Sequence, residues 1–281
     1  MQKTLRKYFP LFVLPTLIAF AVVFLIPFLM GIYLSFTEFT TVTNSRWVGL
    51  QNYVTAFTTN REFLNALWFT VKFAAVSVVS INVIGFLMAS LLTRGIRGTN
   101  VFRTVFFLPN LIGGIVLGWI WQMIFNGILY HYEMTLTYSP SFGFWGLVIL
   151  MNWQMIGYMM IIYIAGIQAI PGELYDAADV DGAGPWQKLT RVTLPMVMPS
   201  ITICTFLTLT NSFKLFDQNL ALTAGAPSKK TAMLALDIYN TFYGRNGWEG
   251  VGQAKAVVFF LLVALLAFLQ LRITRRREVD Q

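Results

Sequence analysis

The sequence predicts an all-α polytopic membrane protein with six transmembrane helices, and three observations point to that class. Charged residues make up 11% of the 281-residue chain against 57% hydrophobic ones, and the mean hydropathy is +0.65. A soluble domain carries roughly 25% charge, because its surface has to meet water. Six separate stretches are apolar over the roughly 20 residues needed to cross about 30 Å of hydrocarbon. Basic residues gather at the ends and at every second gap between those stretches, the pattern that orients a protein in a bilayer.

The stretches run over about 10–35, 66–92, 104–126, 144–170, 196–218 and 253–273. The first follows Lys3, Arg6 and Lys7, as a secretory signal would. Its apolar run is too long for a signal core and ends in no small-residue cleavage site, so a retained span is expected. Lys3, Arg6, Lys7, Arg94, Arg97, Arg103, Lys188, Arg191, Arg272, Arg275, Arg276 and Arg277 all fall on one side. The loop at 127–143 on the other side holds no Lys or Arg. The positive-inside rule then places both termini in the cytoplasm. The same placement explains the net charge of +8 without nucleic acid, which would need a basic folded domain that no stretch is long enough to form.

Outer segments 36–65 and 219–252 are longer. Trp47, Val48, Leu50, Tyr53, Val54 and Phe57 have helix-like spacing, which predicts a helix from Arg46 to Phe63 lying along the membrane surface. Thr231 to Phe242 is apolar but too short to span, which predicts an interfacial or re-entrant helix. Pro15, Pro27, Pro109 and Pro199 lie inside spans and should kink or open them. Cys204 and His131 are single, so no disulfide, metal site or cofactor is expected; His131 falls in an outer loop. No catalytic set of paired carboxylates or nucleophile and base lies within the spans.

One inner loop differs from the others. Residues 171–195 hold four of the twelve acidic residues, Glu173, Asp176, Asp179 and Asp181. The first three recur every third residue and so share a helix face, beside the small Ala177 and Ala178. Gly182 and Gly184 suit a helix stop, and Pro185 suits the first turn of a second helix carrying Trp186, Leu189 and Val192. Composition alone would also allow a solvated connector.

Asp176-Ala177-Ala178, three residues, Gly182, nine residues and Val192-Thr193-Leu194-Pro195 resemble the EAA signature of bacterial ABC importer permeases. Asp replaces its first Glu and Val its usual Ile. The string from Ile167 to Ala183 is most similar to binding-protein-dependent sugar permeases. Val48 to Tyr53, Phe107 to Asn110, Ser212 to Asp217 and Arg275 to Val279 extend the likeness over nearly the whole chain.

The resemblance implies a type I importer half in a bacterial cytoplasmic membrane. Residues 1–65 would form an N-terminal span and outer loop, and 66–281 a five-helix permease core. Glu173, Asp176, Ala177, Ala178, Gly182, Leu194 and Pro195 would couple it to an ATPase. Its partners would be a second homologous permease, two ABC ATPase copies and an extracytoplasmic solute-binding protein. No G-x-x-x-x-G-K-[ST] phosphate loop occurs, in keeping with ATP hydrolysis by a partner.

Polar side chains in a bilayer are costly, which makes Asn82, Asn152, Gln154, Asn211, Lys214 and Asp217 candidates for solute contact. At 1.5 Å per residue, Asn152 and Gln154 on span four and Asn211 on span five would sit roughly 10–15 Å deep. Amides suit an uncharged polyol, and rings such as Trp153 and Tyr158 stack on sugar faces. The expected substrate set is Asn152, Gln154, Tyr158, Asn211 and Asp217. Hydrogen bonding between helices is the competing role for each. Lys214 and Asp217 would be three apart on span five, able to pair, and a phosphate ester would give Lys214 more weight. An ion-coupled transporter is the alternative class; it would want ionisable relays near the midplane.

Overall fold

A computed structural model describes residues 9, 13–41, 43–59 and 61–275, with the backbone alone at 275. The charges expected at Lys3, Arg6, Lys7, Arg276 and Arg277 lie outside the described residues. Two compact units form, Met1–Phe63 with Ile238–Phe260, and Leu64–Asp237 with Leu261–Gln281.

In the first unit, helix α1 (Val13–Leu34) contains a wide π turn at Ala21–Leu25 just before Pro27. Proline lacks an N–H and its ring crowds the carbonyl four residues back, and the wider turn makes room for it. Phe20, Phe24 and Phe28 stack along one face, and Phe28 meets Phe260 edge-on at 4.9 Å. Strands β1 (Thr37–Thr41) and β2 (Asn44–Trp47) pair antiparallel, and α2 (Gln51–Thr58) follows. This corrects the helix expected from Arg46. Gly49 turns the chain at φ +61°, and Trp47 stacks on Phe36 at 5.5 Å within the hairpin. Asn52 donates to the Ser35 and Thr37 carbonyls at 3.0 and 2.8 Å, tying α2 to β1.

In the second unit, α3 (Glu62–Leu92) leads to α4 (Thr99–Leu111) and α5 (Gly114–Tyr130), then α6 (Pro140–Gln168). The inner loop gives α7 (Gly172–Val180) and α8 (Pro185–Met196). Then come α9 (Met198–Phe213) and the short α10 (Asp217–Leu222); α11 (Leu234–Gly244) and α12 (Glu249–Arg275) each run across the boundary of the two units, with Ile238–Phe260 in the first. Ser139 caps α6 by accepting from the Ser141 N–H, and Pro140 takes the first helical position. Helix α6 is the centre of the core: 61% of its most apolar window is buried, against 28% for α3. Its Met159 and Tyr163 share one apolar core with Phe73 and Ile81 of α3, Leu117 of α5 and Cys204 of α9.

Four described helices, α1, α3, α6 and α12, are long and apolar enough to cross a bilayer. The third and fifth expected spans are not straight. Helices α4 and α5 meet at 102°, and α8 and α9 at 69°; counting each bent pair as one span brings the number among the described residues to six. The breaks have local causes. Pro109 sits in a 3₁₀ turn at Leu108–Leu111 ahead of extended Ile112 and Gly113. Pro195 and Pro199 flank the second break at Val197.

Candidate functional site

Helix α7 ends in a Schellman turn: Ala183 N–H bonds to the Ala178 carbonyl at 2.9 Å, and Gly182 N–H to Asp179 at 3.0 Å. Gly182 has φ +74°, a conformation that side-chain-bearing residues resist. Gln187 then accepts from the Gly184 N–H at 2.9 Å and starts α8. The second helix is α-helical at Pro185–Lys188 and again at Leu194–Met196. A π turn at Leu189–Thr193 lies between them, because Pro195 cannot donate within a regular turn, and it shifts Val192 out of the expected phase.

The tip of this segment is apolar and uncovered. Val180 is 89% exposed and Trp186 73%, with Glu173, Asp176, Ala177 and Gly182 exposed beside them. Ala178, Leu194 and Pro195 are half-buried toward the core. Asp179 pairs with Lys188, and Tyr175 hydrogen-bonds Thr193 at 3.0 Å, so the two helices are fastened to each other. Covering a Val and a Trp would stabilise a complex by about 1.5–3 kcal/mol each.

A polar cavity of about 250 Å³ lies between the α4–α5 break and the junction of α9 with α10. Gln154 and Tyr158 face it from α6, Asn211 from α9, Asn110 from the α4 turn, and Lys214 and Gln218 from either side of the α9–α10 junction. Gln154 reaches the Ile112 carbonyl, freed by the α4–α5 break, at 3.4 Å, and accepts from Gln218 at 2.8 Å. Irregular backbone at this depth is tolerated where it lines such a cavity. Gly118 on α5 lets α10 approach closely, since a Cβ there would lie 2.6 Å from Ala221. Gln122 holds the end of α10 through the Leu222 carbonyl at 3.0 Å.

Several sequence candidates sit elsewhere. Asn152 does not line the cavity; its Nδ2 donates to Val148 at 2.8 Å within its own helix, and its Oδ1 is buried without a partner. Asp217 is not on span five, because α9 ends at Phe213; it begins α10 against Gly114 and does not share a helix with Lys214. Trp153 packs edge-on against Trp121 at 5.6 Å. Asn82 serves the core, accepting from the Tyr163 hydroxyl at 2.7 Å and donating to Thr208 at 2.8 Å. His131 is exposed at the end of α5. Gln218 and Asn110 are the polar cavity residues that the sequence candidates lack. A continuous fifth span hid Gln218; Asn110, beside a mid-span proline, carried a usable signal.

Helices broken on two sides of a polar cavity, inside an apolar bundle, mark a membrane transport protein. Residues 81–279 match the family model described as binding-protein-dependent transport system inner membrane component, and the chain belongs to that family. It is 46% identical to a probable starch degradation products transport system permease protein of Thermoanaerobacterium thermosulfurigenes, over 96% of this chain and 94% of that one. It is 30% identical, over 99% of both chains, to the multiple sugar-binding transport system permease protein MsmF of Streptococcus mutans. Its fold resembles a chain of a bacterial ABC transporter involved in import of the acidic polysaccharide alginate, with a TM-score of 0.81, 22% identity and 98% coverage of each chain.

Proposed function

We propose that this chain is a transmembrane subunit of an ATP-driven importer for an oligosaccharide, handed over by an extracytoplasmic binding protein. The observation that carries the reading is the uncovered apolar tip of residues 171–195, which needs a protein cover on the same face as the basic loops. In this reading an ATPase supplies that cover, with Glu173, Asp176, Ala177, Ala178, Gly182, Leu194 and Pro195 in or beside the contact. Two ATPase copies and a second, homologous permease complete the assembly, and both termini lie on the ATPase side. Residues 66–281 act as the permease core, supported by a family match confined to 81–279.

Gln154, Tyr158 and Asn211 contact the sugar in the cavity, together with Asn110 and Gln218. The amides and the phenol offer donors and acceptors without a carboxylate, which fits hydroxyl-rich solutes, as do the relatives' printed names. Asn152 and Asp217, turned elsewhere, act on solute only if these helices rearrange. Proteoliposomes holding this chain with its partners should take up a labelled maltooligosaccharide only with ATP and the binding protein. Uptake driven by an ion gradient without ATP would replace the reading with a secondary transporter. Lys214 in the cavity wall favours one second reading, a glycerol phosphate ester, which would then compete with the sugar for uptake.

A further inference from the structure

A second cavity, of about 470 Å³, shares no lining residue with the first and lies at the end of α3 and α6 that carries residues 171–195. Its hydrogen-bond donors are the Arg94 guanidinium, the Gln168 amide and the Lys188 ammonium. No carboxylate lines it; the nearest acid by contact is Asp179, which pairs with Lys188 from outside the wall. With Asp179 on Lys188, Arg94 and Lys188 together leave one net positive charge facing this space, which favours an anion, and a planar guanidinium suits phosphate.

The remaining polar groups narrow the ligand further. Ser90 donates to the Phe86 carbonyl at 2.8 Å and Thr93 to Ala89 at 3.0 Å. Thr193 is held by Tyr175 and the Lys188 carbonyl. With their protons spent on these bonds, the Ser90, Thr93 and Thr193 oxygens offer lone pairs, and lone pairs accept from a ligand's hydroxyl groups. The carbonyl ends of α3 and α6 add partial negative charge, which Arg94, just past α3, offsets.

We propose that this cavity binds a phosphorylated polyol, its phosphate on Arg94 and Lys188 and its hydroxyls on the Ser and Thr oxygens. That chemistry has two sources, a soluble sugar phosphate or the phosphoglycerol headgroup of an anionic lipid. The walls come from α3, α6, α7 and α8, so an occupant fastens the 171–195 segment to the core. Its effect on transport rests on the ATPase-docking reading; its binding does not.

The test measures thermal stability of the assembled protein in phosphatidylcholine nanodiscs, titrated with a hexose monophosphate at fixed ionic strength. Stabilisation should be saturable and absent with the unphosphorylated hexose. Arg94→Gln or Lys188→Gln should weaken it about tenfold, the loss of one charge-assisted contact. Asp179→Asn, which frees Lys188, should tighten binding. Lys214→Gln should leave it unchanged, which separates this cavity from the transport cavity. Stabilisation by phosphatidylglycerol nanodiscs alone, lost in Arg94→Gln, assigns the site to the lipid headgroup. No response to either source, or a response that survives Arg94→Gln with Lys188→Gln, overturns the proposal. ATPase co-purification, read in parallel, reports on the docking segment independently.

Discussion

Gln154 performs two tasks at once, satisfying the Ile112 carbonyl and accepting from Gln218. Gln154→Leu removes both and leaves a freed carbonyl beside the cavity, so uptake should fall and the protein should lose thermal stability. Asn211→Ala removes a lining amide that fastens nothing, since Asn211 is exposed. It should raise the half-saturating sugar concentration several-fold while assembly stays intact; unchanged uptake kinetics would remove Asn211 from the site. Asn82→Leu should behave in the opposite way, lowering stability by roughly 0.6 to 1.7 kcal/mol per lost contact without a specific effect on sugar affinity. Polar residues inside apolar stretches were readable one by one, as Gln154, Tyr158 and Asn211 illustrate. Their direction was not. Asn152 and Gln154 are two residues apart, and a helix turns them about 200° apart, so one amide faces the cavity and the other does not.

Helices that stop and restart were harder to read than helices that run straight through. The composition of α3 and α6 settles their ends to within a few residues, because nothing interrupts them. Pro109 and Pro199 signalled a disturbance, but a bend of 102° depends on Ile112 and Gly113 leaving the helix altogether. The same limit hid α10, which a continuous fifth span absorbed, and with it the true place of Asp217. The hairpin at Thr37–Trp47 was missed for another reason: Trp47 and Val48 fit a helical spacing, and only Gly49 at positive φ separates them from α2. Helix α10 yields a test at this scale. Gly118→Leu places a side chain where Ala221 packs, so α10 cannot seat. Measured by cysteine accessibility, Gln218 should become more reactive when substituted by cysteine in that background; unchanged accessibility would mean α10 does not depend on this contact.

At the scale of the whole molecule, the chain is a part whose surfaces wait for other subunits. Its composition predicts a bilayer protein, and the spacing of Asp176, Gly182 and Pro195 resembles the signature of the family to which residues 81–279 belong. The fold adds that the 171–195 segment is stiffened internally by the Schellman turn and the Asp179–Lys188 pair, while Val180 and Trp186 stay open. A stiff projection with an apolar tip can transmit force to the α6 and α9 ends it joins. The most direct measurement of that claim is ATPase co-purification with a Gly182→Asp variant. Asp tolerates φ +74° better than most side chains, so the main change is a charge placed at the proposed contact. The account predicts normal membrane insertion with the ATPase lost from the purified assembly; full co-purification with undiminished ATP-driven uptake would contradict it.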